Sequence, residues 1–116
     1  MVGVGARMML ARKLKAANRK RLKKELRKNP LDTAKLKMLG NLAWEEGDYR
    51  DVVEYFTRAT VLGVNEGRVW LRLGRAEFRL FESEEHLSLD RLKASFAAYE
   101  QCMRHIENLT NPQVRT

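Results

Sequence analysis

The sequence predicts an all-α protein, a short solenoid of helical hairpins that follows a basic N-terminal helix. Three observations lead to this fold class. The 116 residues include only two prolines and seven glycines while 33% are charged, which is typical of helical chains. An apolar motif recurs after thirty-four residues, and the first part of the chain carries the excess positive charge. A chain of this length fits one small domain, which leaves little core for a deep catalytic cavity.

The leading segment is strongly basic. Residues 1–29 hold eleven Lys or Arg against Glu25 alone, a balance of +10, whereas residues 30–116 hold twelve against fourteen acids, a balance of −2. Strong helix formers predict a helix over residues 7–28, about 33 Å long at about 1.5 Å per residue. Like charges four residues apart, such as Lys20 and Lys24, oppose this helix in isolation.

This density of cations suits the phosphates of RNA or DNA. The segment has no aromatic residue and no Asn or Gln pair arranged for base edges, so we expect backbone contact without sequence specificity. The predicted nucleic-acid-binding residues are Arg7, Arg12, Lys13, Lys15, Arg19, Lys20, Arg21, Lys23, Lys24, Arg27 and Lys28.

Three alternatives remain open for the basic segment. It could be a mitochondrial targeting sequence, although it contains no serine and is rich in lysine. It could be a solvated face folded onto an acidic stretch that contains Glu82, Glu84 and Glu85. It could also lie on a membrane surface, but the apolar stripe of Leu10, Leu14 and Ala17 is narrow.

The body of the chain contains a repeat with a period of thirty-four residues. Each copy predicts two amphipathic helices, and the first helix carries a large apolar residue followed by a Leu-Gly pair. These positions are Leu36, Leu39 and Gly40 in the first copy and Trp70, Leu73 and Gly74 in the second. The second helix has three positions spaced by four and three residues, namely Val52, Phe56 and Ala59, then Ser95, Tyr99 and Cys102.

With the turn Gly47-Asp48-Tyr49, this pattern resembles the tetratricopeptide repeat family over roughly residues 33–107. The resemblance departs from the family pattern at four positions. Val52 and Ser95 stand where the family favours alanine, and Ala43 and Glu77 stand where it favours an aromatic residue. The second copy also has nine extra residues between Gly74 and Tyr99.

Two glycines have different predicted roles. Gly40 removes a side chain where the second helix of its pair approaches closely. Gly47 ends the first helix, where the left-handed conformation favours glycine. Neither belongs to a phosphate-binding loop, because the Gly-rich spacing and the following Lys-Ser/Thr are absent.

The predicted division is a basic extension over residues 1–30, a helical domain over 31–110 with an acidic insertion at about 81–89, and a tail over 111–116. The third helix should end near Leu80, and Ser88 is a plausible N-cap for a last helix over about 89–108. Because two repeats are fewer than a solenoid usually needs, the leading helix, the last helix or a partner must cover the ends.

The family resemblance implies a concave, peptide-binding groove lined by the first helix of each pair. Its expected residues are Lys37, Asn41, Trp44, Arg68, Arg72, Arg75 and Arg79. Lys37 and Asn41 resemble the start of the carboxylate clamp that holds chaperone C-termini, but Arg72 replaces the next expected asparagine. A general acidic-peptide or protein-docking face is therefore favoured over a true clamp, and a merely solvated arginine row is the alternative.

The residues capable of chemistry do not form an active site in the sequence pattern. His86 and His105 have no metal-ligand neighbours at suitable spacing, and Cys102 lies on an apolar stripe as a buried thiol. We expect no catalysis, metal, cofactor or small-molecule substrate. No apolar run approaches the ~18 residues of a transmembrane helix. The single cysteine favours an intracellular setting, with the mitochondrial matrix slightly ahead of the cytoplasm.

Two functions are compatible with these features. The first is a non-catalytic adaptor or structural subunit of a ribonucleoprotein, specifically an organellar ribosome, with RNA on the basic helix and a protein neighbour on the repeats. The alternative is a protein-interaction scaffold or assembly factor of an organellar or membrane complex, without nucleic acid.

Overall fold

The computed structural model describes residues 3–84 and 88–110, without the side chain of Thr110, and contains five α-helices and no strand in these ranges. The helices are α1 (Val4–Lys28), α2 (Thr33–Glu46), α3 (Tyr49–Val61), α4 (Gly67–Ser83) and α5 (Leu89–Thr110). Each helix packs chiefly against its neighbours in the chain. The all-α prediction is confirmed. The predicted tail and His86 lie outside the described residues.

Side chains at the helix ends satisfy backbone groups that the helices leave free. The Asp32 carboxylate accepts from the Lys35 N–H at 3.2 Å, and the Asp48 carboxylate accepts from the Asp51 N–H at 3.3 Å. The predicted cap at Ser88 is present, since its hydroxyl accepts from the Arg91 N–H at 3.4 Å. Gly47 ends α2 with a φ of 71°, as predicted.

The two Leu-Gly pairs permit close contact between helices. A Cβ atom added at Gly40 would overlap the ring of Phe56, which is fully buried on α3. A Cβ atom at Gly74 would lie 3.1 Å from the ring of Tyr99 on α5. The predicted close approach at Gly40 is therefore confirmed, and the second hairpin is less tight at the equivalent point.

The nine extra residues are shared equally among three parts of the second hairpin. Compared with the first hairpin, α4 continues three residues further past its Leu-Gly pair, and α5 begins three residues earlier relative to its aromatic residue. The connection between the helices is also three residues longer. The third repeat helix is predicted to end near Leu80, but α4 continues through residues 81–83. About one extra helical turn on each side lengthens both helices together.

Two contiguous clusters form the core. One joins α1 to the first hairpin and contains Leu22, Leu26, Leu36, Leu39, Tyr55 and Ala59. The other joins the two hairpins and contains Ala43, Val52, Phe56, Val69, Leu73, Ala76 and Ala98. Because α1 contributes two buried leucines, the basic leading helix is the element that covers the open side of the first hairpin.

Candidate protein interaction groove

The first helices of the two hairpins, α2 and α4, lie side by side and bring the predicted groove residues onto one surface. The Lys37 ammonium pairs with the Glu66 carboxylate at 2.8 Å. One turn further along α2, the Asn41 side-chain oxygen accepts from the Arg72 guanidinium at 2.7 Å. These two contacts connect the helices along the groove.

Trp44 is the aromatic centre of this surface. The Arg72 guanidinium lies 5.5 Å from the centre of the Trp44 ring, which is within cation–π range. On the other side, Tyr49 meets Trp44 edge to face, with ring centres 5.9 Å apart. Burial lowers the pKa of Arg72, and the nearby positive charge of Arg68 lowers it further.

Beyond Trp44 the surface opens into a cleft of about 540 Å³. Two arginines and three aromatic side chains besides Trp44 surround it, together with a single carboxylate. The lining residues are Trp44, Tyr49, Arg75, Phe78, Arg79, Glu82 and Tyr99. Such a mixture can accept an apolar side chain and pair with acidic groups beside it.

Three predicted groove residues form no ion pair with the described part of the chain. Arg68, Arg75 and Arg79 are exposed, and within the described ranges 3–84 and 88–110 none of them forms an ion pair. By contrast, Lys37 and Asn41 are already bonded to Glu66 and Arg72. The pair that resembles a carboxylate clamp is therefore occupied within the chain.

Sequence reasoning missed four residues of the cleft, Tyr49, Phe78, Glu82 and Tyr99. Phe78 and Glu82 could have been found from their phase, because they follow Arg75 at spacings of three and seven on α4. Tyr49 and Tyr99 reach the cleft from α3 and α5, and only the packing of the helices shows this.

On the basic helix, Arg19 differs from the other cations. Its largely buried guanidinium contacts three carboxylates at the turn between α2 and α3, those of Glu46, Asp48 and Asp51, with the Asp48 contact at 3.1 Å. Burial by itself would lower the pKa of Arg19, but these carboxylates raise it above its ordinary value. Arg19 is therefore an anchor that fixes α1 to the body.

Most of the remaining cations of α1 stay available. Lys15 pairs loosely with Glu45 at 3.6 Å, and Arg21 pairs with Glu25 at 3.4 Å, both at exposed positions. Within the part of the chain that the structure describes, eight cations have no ion pair: Arg7, Arg12, Lys13, Lys20, Lys23, Lys24, Arg27 and Lys28. The alternative that the basic segment folds onto the acidic insertion is wrong for Glu84, which pairs with Arg91 at 2.6 Å. Glu85 lies outside the described residues.

Cys102 and His105, which were considered as reactive or metal-binding residues, take part in packing and hydrogen bonding. Cys102 is buried, as predicted. A ring nitrogen of His105 lies 2.9 Å from the Asn65 side-chain oxygen, which also accepts from the Trp70 indole N–H at 2.9 Å. In the described ranges, no three His, Cys, Asp or Glu residues come together as a metal site. None of the described helices is both long and apolar enough to cross a membrane.

Comparison with known proteins finds a distant similarity. The chain is 28% identical over 89 residues, or 77% of its length, to the general transcriptional corepressor trfA of Dictyostelium discoideum. The chain spans only 6% of that protein's length. No family model matches the chain.

Proposed function

We propose that this chain is a non-catalytic protein-interaction module of the tetratricopeptide type, whose α2–α4 groove binds an acidic segment of a partner protein. The observation that carries the proposal is the position of the unpaired Arg75 and Arg79 beside the aromatic cleft around Trp44. A carboxylate placed there would meet two guanidinium groups, and a neighbouring apolar side chain would enter the cleft.

The occupied Lys37 and Asn41 argue for a binding mode different from a carboxylate clamp. Since Lys37 pairs with Glu66 and Asn41 accepts from Arg72, both would have to release internal partners before holding a C-terminus. The arginines further along α4 need no such exchange. We therefore place the main acidic contact at Arg75 and Arg79, with Arg68 at the other end of the row.

The similarity to a corepressor supports a protein-interaction scaffold better than a ribonucleoprotein subunit. It gives no support to the more specific setting in an organellar ribosome or in mitochondria, which stays a prediction from the sequence. A scaffold role also fits the groove, because its exposed arginines and aromatic rings suit protein interfaces.

The test measures binding of two labelled peptides by fluorescence anisotropy. One peptide alternates glutamate and leucine over twelve residues, and the other alternates glutamine and leucine. The double variant Arg75→Gln with Arg79→Gln should weaken binding of the acidic peptide at least about tenfold, because each charge-assisted hydrogen bond contributes about 1.5–3 kcal/mol.

A matched variant controls for net charge. Lys93→Gln with Arg104→Gln removes two charges from exposed positions of α5 that do not line the cleft, and it should bind the acidic peptide like the unmodified chain. The proposal is contradicted if both double variants lose the same affinity, or if the glutamine peptide binds as tightly as the glutamate peptide.

A further inference from the structure

The packing of α1 divides its cations into an anchor and an outward stripe. Leu22 and Leu26 face the body and are buried. At about 100° per residue, four cations fall within about 60° of one another on the opposite side of the helix. They are Lys13, Lys20, Lys24 and Arg27, and all four are exposed. The stripe that they form is about 21 Å long at about 1.5 Å per residue.

Beside the stripe, α1 and α3 enclose a cleft of about 340 Å³ with a basic rim. Lys23 and Arg27 contribute from α1 and Arg58 from α3, while Pro30 and Tyr55 form part of the wall. Among the described residues, Arg58 pairs with Glu54 at the long distance of 3.8 Å. Three cations from two helices therefore converge on one small opening that continues from the stripe.

We propose that the outward stripe of α1 binds the phosphate backbone of a nucleic acid and that the α1–α3 cleft holds one of its phosphates. The single acid of α1, Glu25, lies away from the stripe and contacts Arg21 and Lys35. The stripe therefore presents positive charge without interruption. Folded protein surfaces usually intersperse both signs of charge, whereas a nucleic-acid backbone is an unbroken row of negative charges.

The anchor explains how such a helix persists before it binds. Lys20 and Lys24 repel each other across one turn, which disfavours the helix by a few tenths of a kcal/mol. Arg19, held by three carboxylates, and the two buried leucines offset this repulsion and fix the direction of the stripe. A polyanion then removes the repulsion without having to fold the helix.

The same geometry disfavours a membrane surface. A membrane-bound helix inserts an apolar side flanked by cations. On α1, the body covers Leu22 and Leu26, so the apolar side of the C-terminal half of the helix is not accessible to a bilayer, whereas Val4 and Met8 on the same side are exposed. The side that is open along its whole length is the cationic one.

The experiment compares two triple variants with equal net charge. The stripe variant carries Lys13→Gln, Lys20→Gln and Lys24→Gln, and the groove variant carries Arg68→Gln, Arg75→Gln and Arg79→Gln. Each is titrated by fluorescence anisotropy against labelled twenty-nucleotide single-stranded RNA, single-stranded DNA and duplex DNA between 50 and 200 mM salt. Circular dichroism confirms that both remain helical.

With about five phosphate contacts, affinity of the unmodified chain for a single strand should fall about a hundredfold between these salt concentrations. The slope of the logarithm of the binding constant against the logarithm of salt concentration should become shallower by about two units in the stripe variant. It should become shallower by about 0.7 in Arg58→Gln and stay unchanged in the groove variant. The oligonucleotide that binds with the highest affinity identifies the kind of nucleic acid that supplies the phosphates. The acidic-peptide assay is independent, because the stripe variant leaves the groove unchanged.

Three results would overturn the proposal. The first is an equal loss of affinity in both triple variants, which would show a response to net charge alone. The second is binding that does not change with salt. The third is binding to vesicles of phosphatidylserine and phosphatidylcholine without binding to any oligonucleotide.

Discussion

The two hairpins share a repeat but are held together by different chemistry. In the first hairpin Gly40 lies against the buried ring of Phe56, and the other residues buried there are aliphatic or aromatic. In the second, the buried residues include Glu77 and Ser95. The Ser95 hydroxyl donates to the Gly74 carbonyl at 2.8 Å, and Glu77 pairs with Arg91 at 3.1 Å. Close packing thus specifies the first hairpin, whereas the second depends on matched polar groups.

The largest difference in the free energy of unfolding is expected between the substitutions Gly40→Ala and Gly74→Ala. Gly40→Ala should lower the free energy of unfolding by about 2–3 kcal/mol, because its Cβ overlaps a ring that has no free space, and the gain in helix propensity of ~1 kcal/mol only partly offsets this. Gly74→Ala should cost less than about 1 kcal/mol, since the Tyr99 ring needs to move only a few tenths of an ångström. Urea unfolding of both variants measures the two costs. Equal costs would contradict the difference in packing.

A second difference concerns the charge in the second hairpin. Arg91→Met should lower the free energy of unfolding by about 2 kcal/mol at pH 7, because it leaves the Glu77 carboxylate buried without its cation. Arg104→Met, which removes an exposed partner of Glu100, should cost less than about 0.5 kcal/mol. Urea unfolding again provides the measurement, and equal costs would contradict the special role of Arg91.

The pH dependence of the Arg91→Met variant has a definite sign. Burial raises the pKa of Glu77, while the hydrogen bond from Arg91 lowers it. Without Arg91 the folded-state pKa rises further above the unfolded value of about 4.3. The deficit should therefore be largest at pH 7 and shrink as the pH falls through the folded pKa of Glu77. A deficit that stays constant down to pH 4.5 would show that lost packing, and not the charge, causes it.

A third, smaller difference is expected between Ser95→Ala and its counterpart in the first hairpin. The substitution removes one buried hydrogen bond to the Gly74 carbonyl and should cost about 0.5–1 kcal/mol. Val52→Ala at the equivalent position of the first hairpin removes two methyl groups from the core and should cost about 1–3 kcal/mol. If Ser95→Ala stabilised the protein, the hydroxyl would not be part of what specifies the second hairpin.

Much of the fold could be predicted because it depends on local patterns. The spacing of Phe56 and Ala59 predicts a helix that packs on Gly40, and Asp48 and Ser88 are caps that need only their own turn of backbone. Glu77 could be recognised as unusual, but its partner could not be found. Arg91 lies fourteen residues beyond Glu77 on the next helix, and a residue count does not show how the insertion between them is divided.

Prediction of the candidate binding surfaces from the sequence is limited in the same way. The phase of α2 and α4 predicted the Lys37–Arg79 face, while Tyr49 and Tyr99 enter the cleft from helices whose positions depend on packing. Among the cations of α1, Arg19 looks like its neighbours in the sequence. Its role as an anchor depends on three carboxylates contributed by residues more than twenty-five positions away.

The sequence by itself determined the helical class, the repeat, the places of Gly40 and Gly47 and the separation of a basic segment from a nearly neutral body, because periodicity, capping and charge are properties of neighbouring residues. Only the tertiary structure determined which cations are paired within the protein and which remain available to bind a ligand. That choice depends on distances between groups remote in the chain, since a charge is neutralised by whatever folds against it. Leu22 and Leu26 bring α1 onto the first hairpin, and this contact turns Arg19 inward and leaves Lys13, Lys20, Lys24 and Arg27 facing outward.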